Sequence, residues 1–401
     1  MPAANIDGLS LARALPRPLP IPATGSPLRL ILLLALGHAS FGGARLAIAL
    51  QALQLQASPF AVGVLMSLLM LVPTFVAVPV GRWVDRGGYQ RPTALALAGI
   101  VAGQLIAALL PTLAGLALCS VLVGTSFMLA HVAVNNAIGH LAGAGGRTRA
   151  FGLMAVGFSL SALAGPMIAG AAIDGVGFRW AFALLAVLPL GAATLLLDAP
   201  VMPPHADAPQ ARTRGVRDLL RLPRLRAVLM VSALISSGWD LFTFLVPLHG
   251  AHNGLSATAI GLVAGAFGVG SATVRLALPW ISRRVPEWKL LGGALVLSGI
   301  GYFLFPFCTT VGSMLPLALV LGVVLGCGQP VVMSLLHVVA PPERTGEAVG
   351  LRAAITSLGQ TALPLAFGGF GTALGMQPLF WAAALILGVG GGYAARRPRL
   401  H

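Results

Sequence analysis

Asp240 is a carboxylate set deep inside a long apolar run, between Ile235 on one side and Leu241 and Phe242 on the other. An acid there costs about 2.5 to 3.5 kcal/mol at the centre of a bilayer, so it needs a partner or a use. Arg45, in another apolar run, carries the complementary charge. His38 lies seven residues before it on the same helical face, with Gly42 and Gly43 leaving room beside the two. Ser236 and Thr243 share the face of Asp240. The chemistry such a set supports is proton binding and release. Burial favours the neutral acid and a neighbouring arginine favours the charged one, so opening the pair in one conformation takes up or releases a proton. Two roles fit Arg45 and Asp240 equally: a proton carrier with its counter-charge, or a fixed interhelical ion pair. His38 is a further proton-coupling candidate, since imidazole titrates near neutrality.

A second set suits hydrogen bonding to a bound solute. His131 and Asn135 are spaced by four, and Gln329 stands opposite His131 in the repeat described below. Ser236, Thr243 and Arg352 complete the candidates for a central cavity, with a plain helix-to-helix hydrogen bond as the competing role for each. Arg275 and Arg352 lie a turn or two from span ends, where snorkelling to head groups is the default. With Arg45, however, Arg352 gives two fixed positive charges against Asp240, a balance that suits an anion. Cys119, Cys308 and Cys327 all sit in apolar runs without metal spacing, so no metal and no cofactor are expected. The lone lysine, Lys289, is not in a phosphate loop, and neither Gly-x-Ser-x-Gly nor His-Glu-x-x-His occurs. An ATP motor and a membrane protease are excluded, and the chain is read as no enzyme.

The elements that must hold these residues are membrane helices. Of the 401 residues 57% are hydrophobic and 9% charged, against roughly 25% charged in a soluble domain. Runs of about 20 apolar residues, the length that crosses a bilayer, recur twelve times. They cover about 28–50, 60–80, 93–110, 113–141, 150–172, 180–197, 227–249, 258–279, 290–307, 314–339, 348–374 and 379–395. Residues 1–27 hold five prolines from Pro16 to Pro27 and read as a disordered cytoplasmic tail. Residues 28–197 and 227–395 form two six-helix bundles. They are joined by a cytoplasmic linker, 198–226, whose end carries six arginines, and 396–401 is a short cytoplasmic tail. Alternate loops hold nearly all of the Lys and Arg, the opposite ones only Arg179, so both termini are placed inside. The net charge of +15 is thus a topology signal for a multi-pass inner-membrane protein, not a nucleic-acid footprint.

A shift of 198 residues superposes Gly63 on Gly261, Gly103 on Gly301, Gly124 on Gly322, Gly152 on Gly350, Gly170 on Gly368, Gly177 on Gly375 and Pro166 on Pro364. Two similar bundles suit alternating access around a midplane site.

The stretch Gly81-Arg-Trp-Val-Asp85-Arg86-Gly-Gly88-Tyr-Gln-Arg91 resembles the loop signature of the major facilitator superfamily, G-x-x-x-D-R-x-G-R-K, with Tyr89 and Gln90 in place of the basic pair. The resemblance implies a cytoplasmic gate formed by Gly81, Asp85, Arg86, Gly88 and Arg91, with Asp85 near the start of the eleventh helix. A tight turn with solvated charges is the competing reading. In the fifth span, Gly152, Ser161, Gly165, Pro166 and Gly170 resemble the family's antiporter motif, in which small residues admit close helix packing. Ser120 stands where drug exporters carry an arginine, ahead of Gly124, and Arg283 stands at the repeat position of Asp85.

The resemblance implies an all-α membrane fold of twelve helices and proton-coupled efflux of a small organic solute by a monomer. Uptake of an organic anion or sugar is the alternative. A lipid flippase or a receptor that moves nothing belongs to another class, and flux separates them. Expected partners are a small-molecule substrate, protons and the lipid bilayer.

Overall fold

The computed structural model describes residues 27–197, 199, 216–341 and 344–396. The tails at 1–26 and 397–401 and most of the expected linker lie outside the described residues. Among the described residues the chain is helical throughout, without strands. The first half holds α1 (Pro27–Gln54), α2 (Pro59–Gly87), α3 (Gln90–Leu109), α4 (Leu113–Leu141) and α5 (Gly143–Leu197). A short α6 (Val216–Leu220) precedes α7 (Pro223–His252), α8 (Ala257–Ile281) and α9 (Glu287–Leu304). The chain closes with α10 (Val311–Gly326), α11 (Gly328–Val339), α12 (Thr345–Leu374) and α13 (Gln377–Ala395).

Ten of these described helices are long and apolar enough to cross a membrane, against twelve runs in the sequence. The difference has two sources. Arg149–Leu197 is one continuous stretch of 49 residues, about 74 Å at 1.5 Å per residue and over twice a bilayer core, and it is broken at Gly177. The helix α12 is diluted by Ser357, Gln360, Thr361 and its glycines, and is not among the ten.

Helix starts are fixed by caps that repeat through the chain. Ser58 accepts from the Ala61 amide and Ser256, 198 residues later, from the Ala259 amide. Thr112 caps α4 through Gly115, and Thr310 caps α10 through Ser313. A capping side chain satisfies one of the amides that a helix start leaves unpaired.

The glycine repeat turns out to be a repeat of environments. A Cβ on Gly63 would strike the Pro364 carbonyl, and on Gly261 the Pro166 carbonyl. Gly124 lies on the Leu69 carbonyl and Gly322 on that of Phe267; Gly170 lies on Ala257 and Gly368 on Pro59. Each partner is again displaced by 198 residues. Gly177 and Gly375 share φ near +80°, at 81° and 80°, which glycine adopts without steric cost. Two seams result, α2 against α12 and α5 against α8, and they join the two halves of the chain. The helices α1 and α7 also touch each other between the halves.

Several boundaries differ from the sequence reading. The stretch read as a gate loop is mostly helix: α2 continues to Gly87, and Gly88 ends it with φ 74°. Only Tyr89 then separates it from α3. The linker ends earlier than 226, because Pro223 starts α7, a position where its missing N–H costs nothing. The tenth run, expected as one helix, is broken between α10 and α11 at Cys327. Pro330 explains the break, since it cannot donate to the Gly326 carbonyl.

Candidate functional site

The second half of α1 meets the middle of α7. Arg45 Nη1 lies 3.8 Å from Asp240 Oδ1, with side-chain exposures of 11% and 3%. The same Oδ1 accepts from Gln360 Nε2 of α12 at 3.4 Å. Tyr302, fully buried on α9, donates its hydroxyl to the carbonyl of Gly238, two residues before Asp240. The pair therefore sits where four helices converge, and its acid is served by one arginine and one amide. Arg45 Nε is buried without a partner.

Around it, burial is lopsided. From Gly43 to Ala52, α1 is buried at every position except Arg45, and α7 is buried from Gly238 to Gly250 except at Trp239 and Thr243. Toward the helix ends that carry Arg29 and Arg224, the same two helices are half-exposed at Leu36, His38, Leu234 and Ser236. The molecule is packed shut around the pair and beyond it, and looser on the arginine-rich side.

His38 stands on that looser side, within a cluster of rings from α1, α4 and α5. Its ring centroid is 4.7 Å from that of Phe158 and 5.4 Å from that of Phe127. Phe127 stacks on Phe41 at 4.7 Å, and His131 is 5.6 Å from Phe158. His38 Nδ1 is buried without a partner. Asn135 spends one amide hydrogen on the His131 carbonyl, at 2.7 Å.

The remaining candidates divide. Arg352 Nε donates to Ser232 of α7 at 2.8 Å. Thr243 turns its hydroxyl onto the backbone carbonyl of Asp240, not onto the carboxylate. Ser236 is half-buried, and Gln329 is exposed at the start of α11. Among the described residues no hydrogen bond joins Gln329 to His131. Of the fifth-span motif, Ser161 bonds to the Ala35 carbonyl at 2.7 Å, Gly165 lies on the Ala39 carbonyl, and Pro166 and Gly170 build the α5–α8 seam. Gly152 is the exception. A Cβ there would meet nothing within 4 Å, so it belongs to no close packing. In the gate stretch the surroundings of Gly81 and the side chains of Asp85 and Arg86 lie outside what is described, and Arg91 is exposed on the first turn of α3.

Three features escaped the sequence. Arg275 does not snorkel. Its Nη1 donates to Ser159 Oγ at 3.0 Å and to the Ala155 carbonyl at 3.2 Å. Its Nε points to the Gly326 carbonyl at 3.4 Å, the acceptor that Pro330 leaves without a helical donor, and Trp239 lies 5.6 Å away under the guanidinium. A signal existed: Gly261, Gly265, Gly268 and Arg275 fall on one helical stripe, so the arginine belongs to the glycine seam. Gln360 had no spacing to tie it to Asp240. The third is Asp174, whose carboxylate accepts from the Ala257 amide at 3.1 Å and the Thr258 amide at 2.7 Å, clasping the start of α8. Its repeat partner, Thr372, accepts from the Phe60 amide at the start of α2, at 3.2 Å.

Comparison with known proteins agrees with this architecture. The sequence model of the Major Facilitator Superfamily matches residues 30–351 and 228–399. The tetracycline resistance protein, class C, of Escherichia coli is 27% identical over 325 residues, which are 76% of this chain and 78% of that protein. The nucleoside transporter NupG superposes with a TM-score of 0.75 at 14% identity, covering 92% of this chain and 98% of that one. A bacterial homologue of the human lysosomal transporter Spinster, in an inward-facing and occupied conformation, gives 0.74 at 14% identity over 92% and 95%.

Proposed function

Because the chain belongs to the major facilitator superfamily and is a multi-pass membrane transporter of that fold, we propose that it exports a small organic solute from the cytoplasm in exchange for protons. One observation carries the proton part. Asp240 is buried at the meeting of the two halves, held by Arg45 at 3.8 Å and by Gln360. Any rocking of one half against the other changes the distance between α1 and α7, and with it the balance between the charged and the neutral acid. The proton is thereby tied to the conformation. Asp240 is met by Arg45 from α1 and Gln360 from α12, while Tyr302 of α9 bonds to the Gly238 carbonyl two residues away.

The outward direction draws on the fifth-span packing at Gly165, Pro166 and Gly170 and on similarity to a protein named for tetracycline resistance. In this reading the chain works as a monomer in the inner membrane with both termini in the cytoplasm, which the arginine-rich side of the helices supports. The burial pattern then corresponds to a molecule shut toward the outside.

A second direction has its own observation. Among the described residues, the arginines Arg45, Arg275 and Arg352, all at least partly buried, outnumber the one buried carboxylate, Asp240. Such a site favours an anion, and an anion beside Asp240 favours its protonated form, so the two would move inward together.

Purified protein in vesicles with a trapped pH dye, challenged with organic acids, sugars and lipophilic cations, tests both. Exchange makes the lumen lose protons as a solute enters, and co-movement makes it gain them. Solute flux without any pH change removes proton coupling.

A further inference from the structure

Resting on the reading of the chain as a solute transporter, in either direction, we infer that its cargo is a small aromatic carboxylate, with its ring against Phe127 and Phe158 and its carboxylate toward Arg275 and His38.

Arg275 is held by two backbone carbonyls, a serine hydroxyl and the face of Trp239, none of them charged. Arg45 shares Asp240, the single buried carboxylate among the described residues, but leaves its Nε unpaired, and His38 leaves Nδ1 unpaired. Arg45 lies two turns from His38 on one face of α1, and Arg275 is hydrogen-bonded to Ser159, the chain neighbour of the Phe158 whose ring meets His38. Unpaired guanidinium charge in a low-dielectric interior is costly, and a second carboxylate is the group that would relieve it. A fork of N–H donors also matches a carboxylate in shape.

The ring argument is independent of the charges. Phe127 and Phe158 stand on two different helices, each with a ring centroid within 5.4 Å of that of His38. Both are half-buried, on the looser side of the Arg45–Asp240 pair, so neither is sealed in the core. Ser159, which takes the hydrogen bond of Arg275, directly follows Phe158. Ring surface and guanidinium are therefore anchored at consecutive residues of α5.

Binding to the full chain in detergent, with no gradient, tests this. The probes are 1-naphthoate, cyclohexanecarboxylate and 1-naphthylmethylammonium, which separate ring from charge. Naphthoate is expected to bind at least tenfold more tightly than either of the others. Arg275→Gln should remove at least that tenfold and leave the ammonium probe unchanged. Phe127→Leu, which keeps the arginines, should bring naphthoate down to the level of cyclohexanecarboxylate, so the test survives if the Arg275 variant fails to fold. The inference is overturned if the ammonium binds best, if naphthoate and cyclohexanecarboxylate bind alike, or if none of the three binds. Those outcomes leave the vesicle test of proton coupling untouched.

Discussion

Arg45 and Asp240 meet at 3.8 Å, and the 198-residue repeat puts Thr243 and Gly42 at their equivalent positions. The packing frame is therefore duplicated and the charged pair is not. His38 and Arg275 likewise correspond to Ser236 and Ala77. These four charged or titratable positions are thus confined to one copy of the repeat.

The seams should fail in equivalent ways. Leucine at Gly63 or at Gly261 forces a side chain onto the Pro364 or the Pro166 carbonyl, an overpacking that costs about 1 to 3 kcal/mol. Thermal unfolding in detergent should show both variants destabilised to a similar degree, and Gly152→Leu, facing open space, unchanged. Unequal losses would mean that the seams are not equivalent.

At the break in α5, Gly177→Ala should destabilise by about 1 to 2 kcal/mol, because φ 81° places a Cβ against the backbone. Gly175→Ala, two residues before, meets nothing within 4 Å in a regular helix and should be neutral or mildly stabilising. Chemical denaturation of the two variants checks the pair.

The clasp at Asp174 should be measurable in place. Asp174→Ala removes the acceptor for the Ala257 and Thr258 amides, and losing such a cap costs about 1 kcal/mol, or about fivefold in a local opening equilibrium. Hydrogen exchange at the start of α8 should quicken by about that factor. Thr372→Ala, which frees one amide at Phe60, should speed exchange at the start of α2 instead.

Much of the frame was readable in advance because it is periodic. Apolar run lengths point to spanning helices, and a single shift finds glycines whose neighbours prove to be shifted equally. The ends were harder. Gly81 to Gly87 reads as a loop from its charges and glycines, yet the last turns of a helix tolerate both, and the structure keeps it helical to Gly88. The site was legible in its charges and not in its neighbours. Helical depth brings Arg45 level with Asp240, but Gln360 arrives from a helix with no spacing relation to either. Arg275 is misread if only its distance from the span end is considered; its place on the Gly261–Gly268 stripe turns it inward. Phe158 carried no signal at all, since one aromatic in a membrane span is ordinary.

If Asp240 carries the coupled proton, replacing its carboxyl with an amide uncouples transport from the pH gradient. In vesicles with a trapped pH dye, using a compound that moves in the wild-type protein, Asp240→Asn should abolish the solute-driven pH change. It should also abolish accumulation driven by an imposed pH gradient, while solute-for-solute exchange without a gradient continues. An Asp240→Asn protein that still transports at the wild-type rate under a pH gradient would contradict the account.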